Sequence, residues 1–132
     1  MGYRVYDKKK KRFVTDNIYL TPEGELVESK KSIWGNKMTF VDQNRYVYQR
    51  YIGLVDRENH PIFIGDYLEA IVADDEVIVG IVTFAEELSS YIIWCFDNEK
   101  WFTLGTDVCD RIRIVGNVFD EKKDKKDGKQ AL

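Results

Sequence analysis

Histidine, cysteine and charge of one sign are what this 132-residue chain has least of, and each shortage removes a class of function. One histidine, His60, and two well-separated cysteines, Cys95 and Cys109, leave a tetrahedral zinc site short of ligands and form no CxxC pair. Both cysteines read as small core residues that a reducing compartment keeps as thiols. Twenty Lys plus Arg against 23 Asp plus Glu give a net charge of -3, which is not the bulk signature of a nucleic-acid protein. No window approaches the roughly 18 unbroken apolar residues of a membrane helix. No apolar stretch follows the opening MGYRVYDKKKKR, so neither a membrane span nor a signal peptide is expected, and a cytosolic setting follows. A Gly-x-Ser-x-Gly elbow and a phosphate-cradling glycine loop are also missing.

What is present suits a small β-rich domain. The length allows one compact unit or two very small ones, and the 44% hydrophobic content supplies a core without a metal or disulfide staple. Apolar segments are short, rich in Val, Ile, Tyr and Phe, and interrupted by polar turns about every 8–12 residues, the rhythm of a sandwich or small barrel. Strands are predicted near Tyr3–Tyr6 and Phe13–Leu20, hinged by the charged turn Asp7–Lys11. Thr21–Glu25 is a second turn, in which Pro22 presets φ and Gly24 accepts a positive one. Leu26–Trp34 is predicted to return as a strand that Gly35-Asn36 breaks, and Arg45–Gly53 alternates aromatically. The polar turn Val55–Pro61 then separates an N-terminal β-rich subdomain, residues 1–60, from a C-terminal small SH3-like β-barrel, residues 61–120. The chain is expected to be mainly β with little helix.

The C-terminal part carries the more specific pattern. Leu68, Ala70 and Val72 share one strand face, as do Ile78, Val82 and Phe84 on the next strand and Ile112, Ile114 and Val118 on the last. Yet Val77, Val79 and Ile81, and then Ile92, Trp94 and Phe96, make the opposite face apolar too. A small barrel buries only its inner face, so these six residues are expected to meet another cover, the N-terminal part or a second copy of the chain. Gly65-Asp66 forms a tight turn before a strand, Gly80 lets its neighbour curve, and Gly116 marks a bend or bulge. The sequence of Gly-Asp, strand, turn and Gly-containing strand resembles the opening hairpin of SH3-like barrels. Residues 121–132, with five Lys and three acids, are expected to be a disordered charged tail.

Few residues offer chemistry. His60 precedes Pro61 in a polar turn and reads as solvated. Asp74-Asp75-Glu76 and Glu86-Glu87 read as turn clusters, although an acid/base pair or Mg²⁺ site assembled in space is an alternative. No catalytic residue, cofactor or metal is therefore assigned. Lys8, Lys9, Lys10, Lys11 and Arg12 form the densest basic run, either a charged turn that keeps a strand end solvated or a phosphate-contacting loop. Trp34, Tyr46, Tyr48 and Tyr51 would make a stacking platform for single-stranded bases if exposed together, and core or interface packing if not.

Three stretches carry a family resemblance. Tyr51–Asn59 followed by Pro61–Asp66 resembles the "tGLkDknGkeIyeGDiv" signature of the YopX family of phage and prophage proteins. Arg4–Lys8 is similar to that family's "frawDk" opening, and Ile114–Glu121 to its closing "viGNiyEn". His60-Pro61 departs from the family's usual Gly-Lys, and Tyr6 replaces a Trp. The resemblance implies a β-rich fold with a C-terminal small barrel, a phage or prophage origin, action in the cytoplasm of a bacterial host, and self-association. It supplies no catalytic residues. The expectation is a non-enzymatic homo-oligomer that binds a host or phage protein, with nucleic-acid binding through Lys8–Arg12 as the alternative, a carboxylate-dependent hydrolase as a weaker third, and no membrane partner. The turn glycines Gly53, Gly65, Gly80 and Gly116, with Asp66, are expected to be architectural.

Overall fold

The computed structural model describes residues 2–14, 17–95, 97 and 99–120. Phe96 and the tail 121–132 lie outside the described residues. Twelve strands account for most of what is described, joined by turns and short 3₁₀ segments. The chain divides into two compact units, Tyr3–Gln49 and Arg50 onward. This division falls within a continuous strand rather than at the Val55–Pro61 turn, because that turn is a hairpin closed inside the second unit.

In the first unit, β1 (Tyr3–Asp7) and β2 (Arg12–Val14) pair antiparallel, with Tyr6 opposite Phe13 and Asp7 opposite Arg12. Asp7 itself closes the turn. Its Oδ1 accepts the Lys9 and Lys10 backbone N–H groups at 3.0 and 3.2 Å, while Lys11, at φ 56, donates to the Asp7 carbonyl. The predicted Phe13–Leu20 strand is split: β3 (Ile18–Leu20) belongs to a separate sheet with β4 (Leu26–Ser32) and β5 (Gly35–Phe40). Asn17, at φ 69, takes the left-handed conformation that ends an extended run. The predicted Leu26–Trp34 strand likewise ends at Ser32, and Ile33-Trp34 becomes the tip of a β4–β5 hairpin. Gly35, at φ +109, opens the returning strand rather than only breaking the first. Gln43 acts as a surrogate strand for Leu26, accepting its N–H at 3.0 Å and donating to its carbonyl at 2.9 Å.

The second unit is built on β6 (Tyr46–Val55, which begins in the first unit), β7 (Pro61–Phe63) and a five-stranded antiparallel sheet. That sheet comprises β8 (Asp66–Ile71), β9 (Val77–Ala85), β10 (Ser90–Cys95), β11 (Trp101–Thr103) and β12 (Ile112–Asn117), in the order β11-β10-β9-β8-β12. It curls as a half-barrel around Leu68, Ala70, Ile78, Val82, Ile93, Cys95 and Ile112, with Ile52, Ile62 and Leu104 completing the core. These are the alternate positions of each strand, as a period of two requires. Phe84 departs from the pattern: it shares parity with Ile78 and Val82, yet is exposed near the strand end and packs edge-on against Tyr91, with centroids 5.1 Å apart.

Bends are supplied at glycines. Gly80 pairs with Cys95 where β9 and β10 approach so closely that a Cβ would collide with the Trp94 carbonyl oxygen. Gly53, at φ +86, lies where the β6–β7 register slips between Tyr51 and Val55. On β12 the register slips between Ile114 and Gly116, leaving Val115 as the extra residue of a bulge.

Candidate functional site

The convex face of the five-stranded sheet is assembled by strand register. Trp101 on β11 lies opposite Trp94 on β10, Trp94 opposite Ile81 on β9, and Ile81 opposite Tyr67 on β8. Beside this row stand Val79, opposite Glu69, and Val77, opposite Ile71. Val77 is 56% exposed, and Val79, Trp94 and Trp101 are exposed as well; Ile81 is half-buried. Four of the six expected interface residues thus lie in one water-facing stripe. Ile92 does not, because it is only 5% exposed. Flanked in register by Thr83 and Thr103, it shares a groove with Ala85 and Leu88, which the 3₁₀ turn Glu86–Leu88 brings beside it. This groove, about 260 Å³, is lined by Ala85, Glu87, Leu88, Ile92, Trp94 and Trp101.

Trp101 and Leu88 are the members that sequence reading missed. For Trp101 the turn signal was misleading: a hairpin closed by Asp97–Lys100 alone would set position 96 opposite it, whereas the register pairs Trp101 with Trp94. Leu88 gave no signal, because a three-residue 3₁₀ turn has no period to read.

The basic turn is where the sequence places it. Lys8, Lys9, Lys10, Lys11 and Arg12 are all exposed on the β1–β2 hairpin. The aromatics do not gather into one platform: Tyr46 packs beneath the Arg45 guanidinium at 4.9 Å, Tyr51 pairs with Phe63, and Trp34 stands on the β4–β5 hairpin. His60 is exposed, with Nδ1 3.8 Å from carboxylate oxygens of Asp56 and Glu58. Among the described residues no three His, Cys, Asp or Glu side chains are grouped to hold a metal ion. Nor, among them, is any helix long and apolar enough to cross a membrane.

The buried carboxylates are all engaged in shaping the backbone. Asp7 accepts two hydrogen bonds from Arg45, at 2.9 and 2.7 Å, besides those of its own turn. The Arg45 hydrogen bond is the main reason its carboxyl is held far below the usual range, against the opposing effect of burial. Asp56 closes the β6–β7 turn, where Oδ1 accepts the N–H groups of Glu58 and His60 and Oδ2 accepts that of Ile114 at 3.1 Å. Burial raises its pKa, but these backbone donors outweigh it and the net shift is downward. Asp66 accepts the Phe63 N–H at 2.9 Å and the Asn117 side-chain amide at 3.0 Å. Asn117 in turn accepts the Phe119 N–H at 2.9 Å. Each of these residues belongs to one of the three stretches that carry the family resemblance, so the recurring polar residues of those stretches fix turns and strand junctions.

Comparison with known proteins agrees with this reading of the stretches. Residues 2–123 match the YopX protein family. No curated protein matches the sequence. The crystal structure of protein yopX from Bacillus subtilis is similar over 91% of this chain and 94% of its own, with a TM-score of 0.61 at 13% identity. That of protein EF1440 from Enterococcus faecalis covers 92% and 95%, with a TM-score of 0.50 at 15% identity. At such identities the two structures attest the fold alone, whereas the family match spans the signature turns at Asp7, Asp56, Asp66 and Asn117, and on that ground this chain belongs to the YopX protein family.

Proposed function

We propose that the chain is a phage- or prophage-encoded accessory protein that works without catalysis in the bacterial cytoplasm, as a homo-oligomer that binds through the outer face of its second unit. The observation that carries this reading is the Trp101–Trp94–Ile81 row with Val77 and Val79, a contiguous apolar surface on a charged chain. Contiguous exposed apolar surface marks an interaction site, and aromatic residues dominate interface cores. The non-catalytic reading is supported by the buried carboxylates: Asp7, Asp56 and Asp66 each accept backbone N–H groups, and Asp7 also accepts from Arg45, so all three serve to shape turns. The SH3-like reading of the second unit belongs here as well, supported by the Gly65-Asp66 turn into β8 and the close approach at Gly80.

Light scattering coupled to gel filtration tests the proposal. A mass of two or more chains at high micromolar concentration is expected, reduced to one chain by Trp94→Asp. A strict monomer would overturn it.

Nucleic-acid binding is favoured by one specific observation, the exposure of all five basic side chains on the Lys8–Arg12 turn. Phosphate contacts would give labelled DNA a steep salt dependence. No binding at low salt rejects this second reading.

A further inference from the structure

Among the described residues the most exposed large hydrophobic side chains are Ile33 and Trp34, at 90% and 91%, adjacent at the tip of the β4–β5 hairpin. The tip is held rather than loose: Ser32 Oγ accepts the Trp34 N–H at 3.2 Å and donates to the Gly35 carbonyl at 2.8 Å, and Gly35 supplies the left-handed turn. A tip ordered in advance loses little conformational entropy on docking. Its stem is basic. Lys30 lies directly opposite Lys37, with Lys31 on the other face, and the only ion pair of Lys30 among the described residues is with Glu28 at 3.4 Å. Like charges facing each other across two strands destabilise a hairpin unless an acidic partner offsets them.

The same chain carries the complement. Residues 50–120 hold fourteen Asp and Glu against five Lys and Arg, whereas residues 3–49 hold ten Lys and Arg against six Asp and Glu. Within the acidic unit, the groove of Trp94, Trp101, Leu88, Ile92 and Ala85 is apolar and has Glu87 in its lining, next to Glu86 on the same turn. Its volume, about 260 Å³, lies below the roughly 300–1,000 Å³ of typical small-molecule pockets. It suits an inserted side chain better than a free ligand.

We propose that the β4–β5 hairpin of one copy seats its Ile33–Trp34 tip in the Trp94–Trp101–Leu88 groove of a second copy, with the Lys30–Lys37 pair facing the Glu86–Glu87 rim. This rests on the homo-oligomer reading above and specifies its geometry. Tip and groove are different surfaces, so the contact is heterologous: each copy gives one tip and receives another, and the assembly closes as a ring or grows as a filament.

Complementation between two broken chains tests it. Ile33→Ser with Trp34→Ser removes the tip, and Leu88→Lys places a cation at the groove. All three positions are exposed, and circular dichroism checks that the variants fold. Each variant alone is expected to self-associate at least about thirtyfold more weakly than the wild type, the loss that follows removal of a central tryptophan. Mixed one to one, they are expected to form a dimer that grows no further, because one intact tip meets one intact groove. If the tip variant associates as the wild type does, the hairpin proposal is overturned while the oligomer reading stands. A wild-type monomer overturns the oligomer reading and this proposal with it. A mixture that yields no dimer, or a tip variant whose only loss is affinity for labelled duplex DNA, also overturns the hairpin contact.

Discussion

Two glycines of the second unit separate a steric demand from a conformational one. A methyl group at Gly80 would collide with the Trp94 carbonyl oxygen and stand 2.6 Å from Cγ2 of Ile93 and 2.7 Å from the Trp94 carbonyl carbon. Two of these atoms are backbone and the third belongs to a core side chain, so β9 and β10 must part to admit it. Overpacking costs about 1–3 kcal/mol, and each ladder hydrogen bond weakened by the parting adds about 1 kcal/mol. Gly80→Ala should therefore cost about 3–4 kcal/mol. Gly53, by contrast, has open space around its Cα and a φ of +86. Its replacement by Ala costs only the left-handed backbone, about 1–2 kcal/mol. Gly53→Asn should cost less still, because Asn visits that region more readily. For a chain of this size 1 kcal/mol moves Tm by about 3 °C. Thermal unfolding by circular dichroism should thus show a fall of roughly 10 °C for Gly80→Ala and about 3–6 °C for Gly53→Ala. Because the displaced strand carries Trp94, Gly80→Ala should also weaken self-association, which Gly53→Ala should not. A Gly80→Ala protein as stable as Gly53→Ala would refute the close approach of the two strands.

Other outcomes follow from the buried polar groups and the core. The pKa values of Asp7 and Asp56 are lower in the folded chain than in the unfolded one, so their stabilisation is complete above the ordinary carboxylate range, about pH 4, and is lost as pH falls below it. Urea unfolding between pH 7 and pH 3 should show this decline, with a shallower slope in Asp56→Asn; an unchanged slope would count against the Asp56 contacts. Asp66→Ala strands the Phe63 N–H and the Asn117 amide in a buried corner and should cost about 3 kcal/mol in denaturant unfolding. Leu68→Ala empties a fully buried site and should cost about 2–5 kcal/mol, whereas Ile33→Ser with Trp34→Ser should change stability by less than about 0.5 kcal/mol.

Much of the second unit was legible before any coordinates. The inward positions Leu68, Ala70, Ile78, Val82, Ile93 and Ile112 follow from alternation alone, because a strand turns every second side chain to the same face. Turn chemistry at Thr21–Glu25 was equally local: Gly24 has φ +88 and donates its N–H to the Thr21 carbonyl. The division of Phe13–Leu20 between two sheets was not legible, since Asn17 is compatible with either conformation and only the pairing of Ile18–Leu20 with β4 decides it. Ile92 misled for the opposite reason. Its parity is outward, but a turn five residues earlier shares its groove and removes it from water.

Alternation, turn residues and the three motif stretches determined that this chain is β-rich and which side chains face its second core, because those properties depend on neighbours within a few positions. Tertiary structure decided that the motif carboxylates hold backbone N–H groups, that Trp94 and Trp101 share a groove with Leu88, and that Trp34 stands at a hairpin tip. Each of these depends on segments distant in sequence or on a turn without periodicity, and a hydrogen bond such as that from Ile114 to Asp56 leaves no trace in the local order of residues.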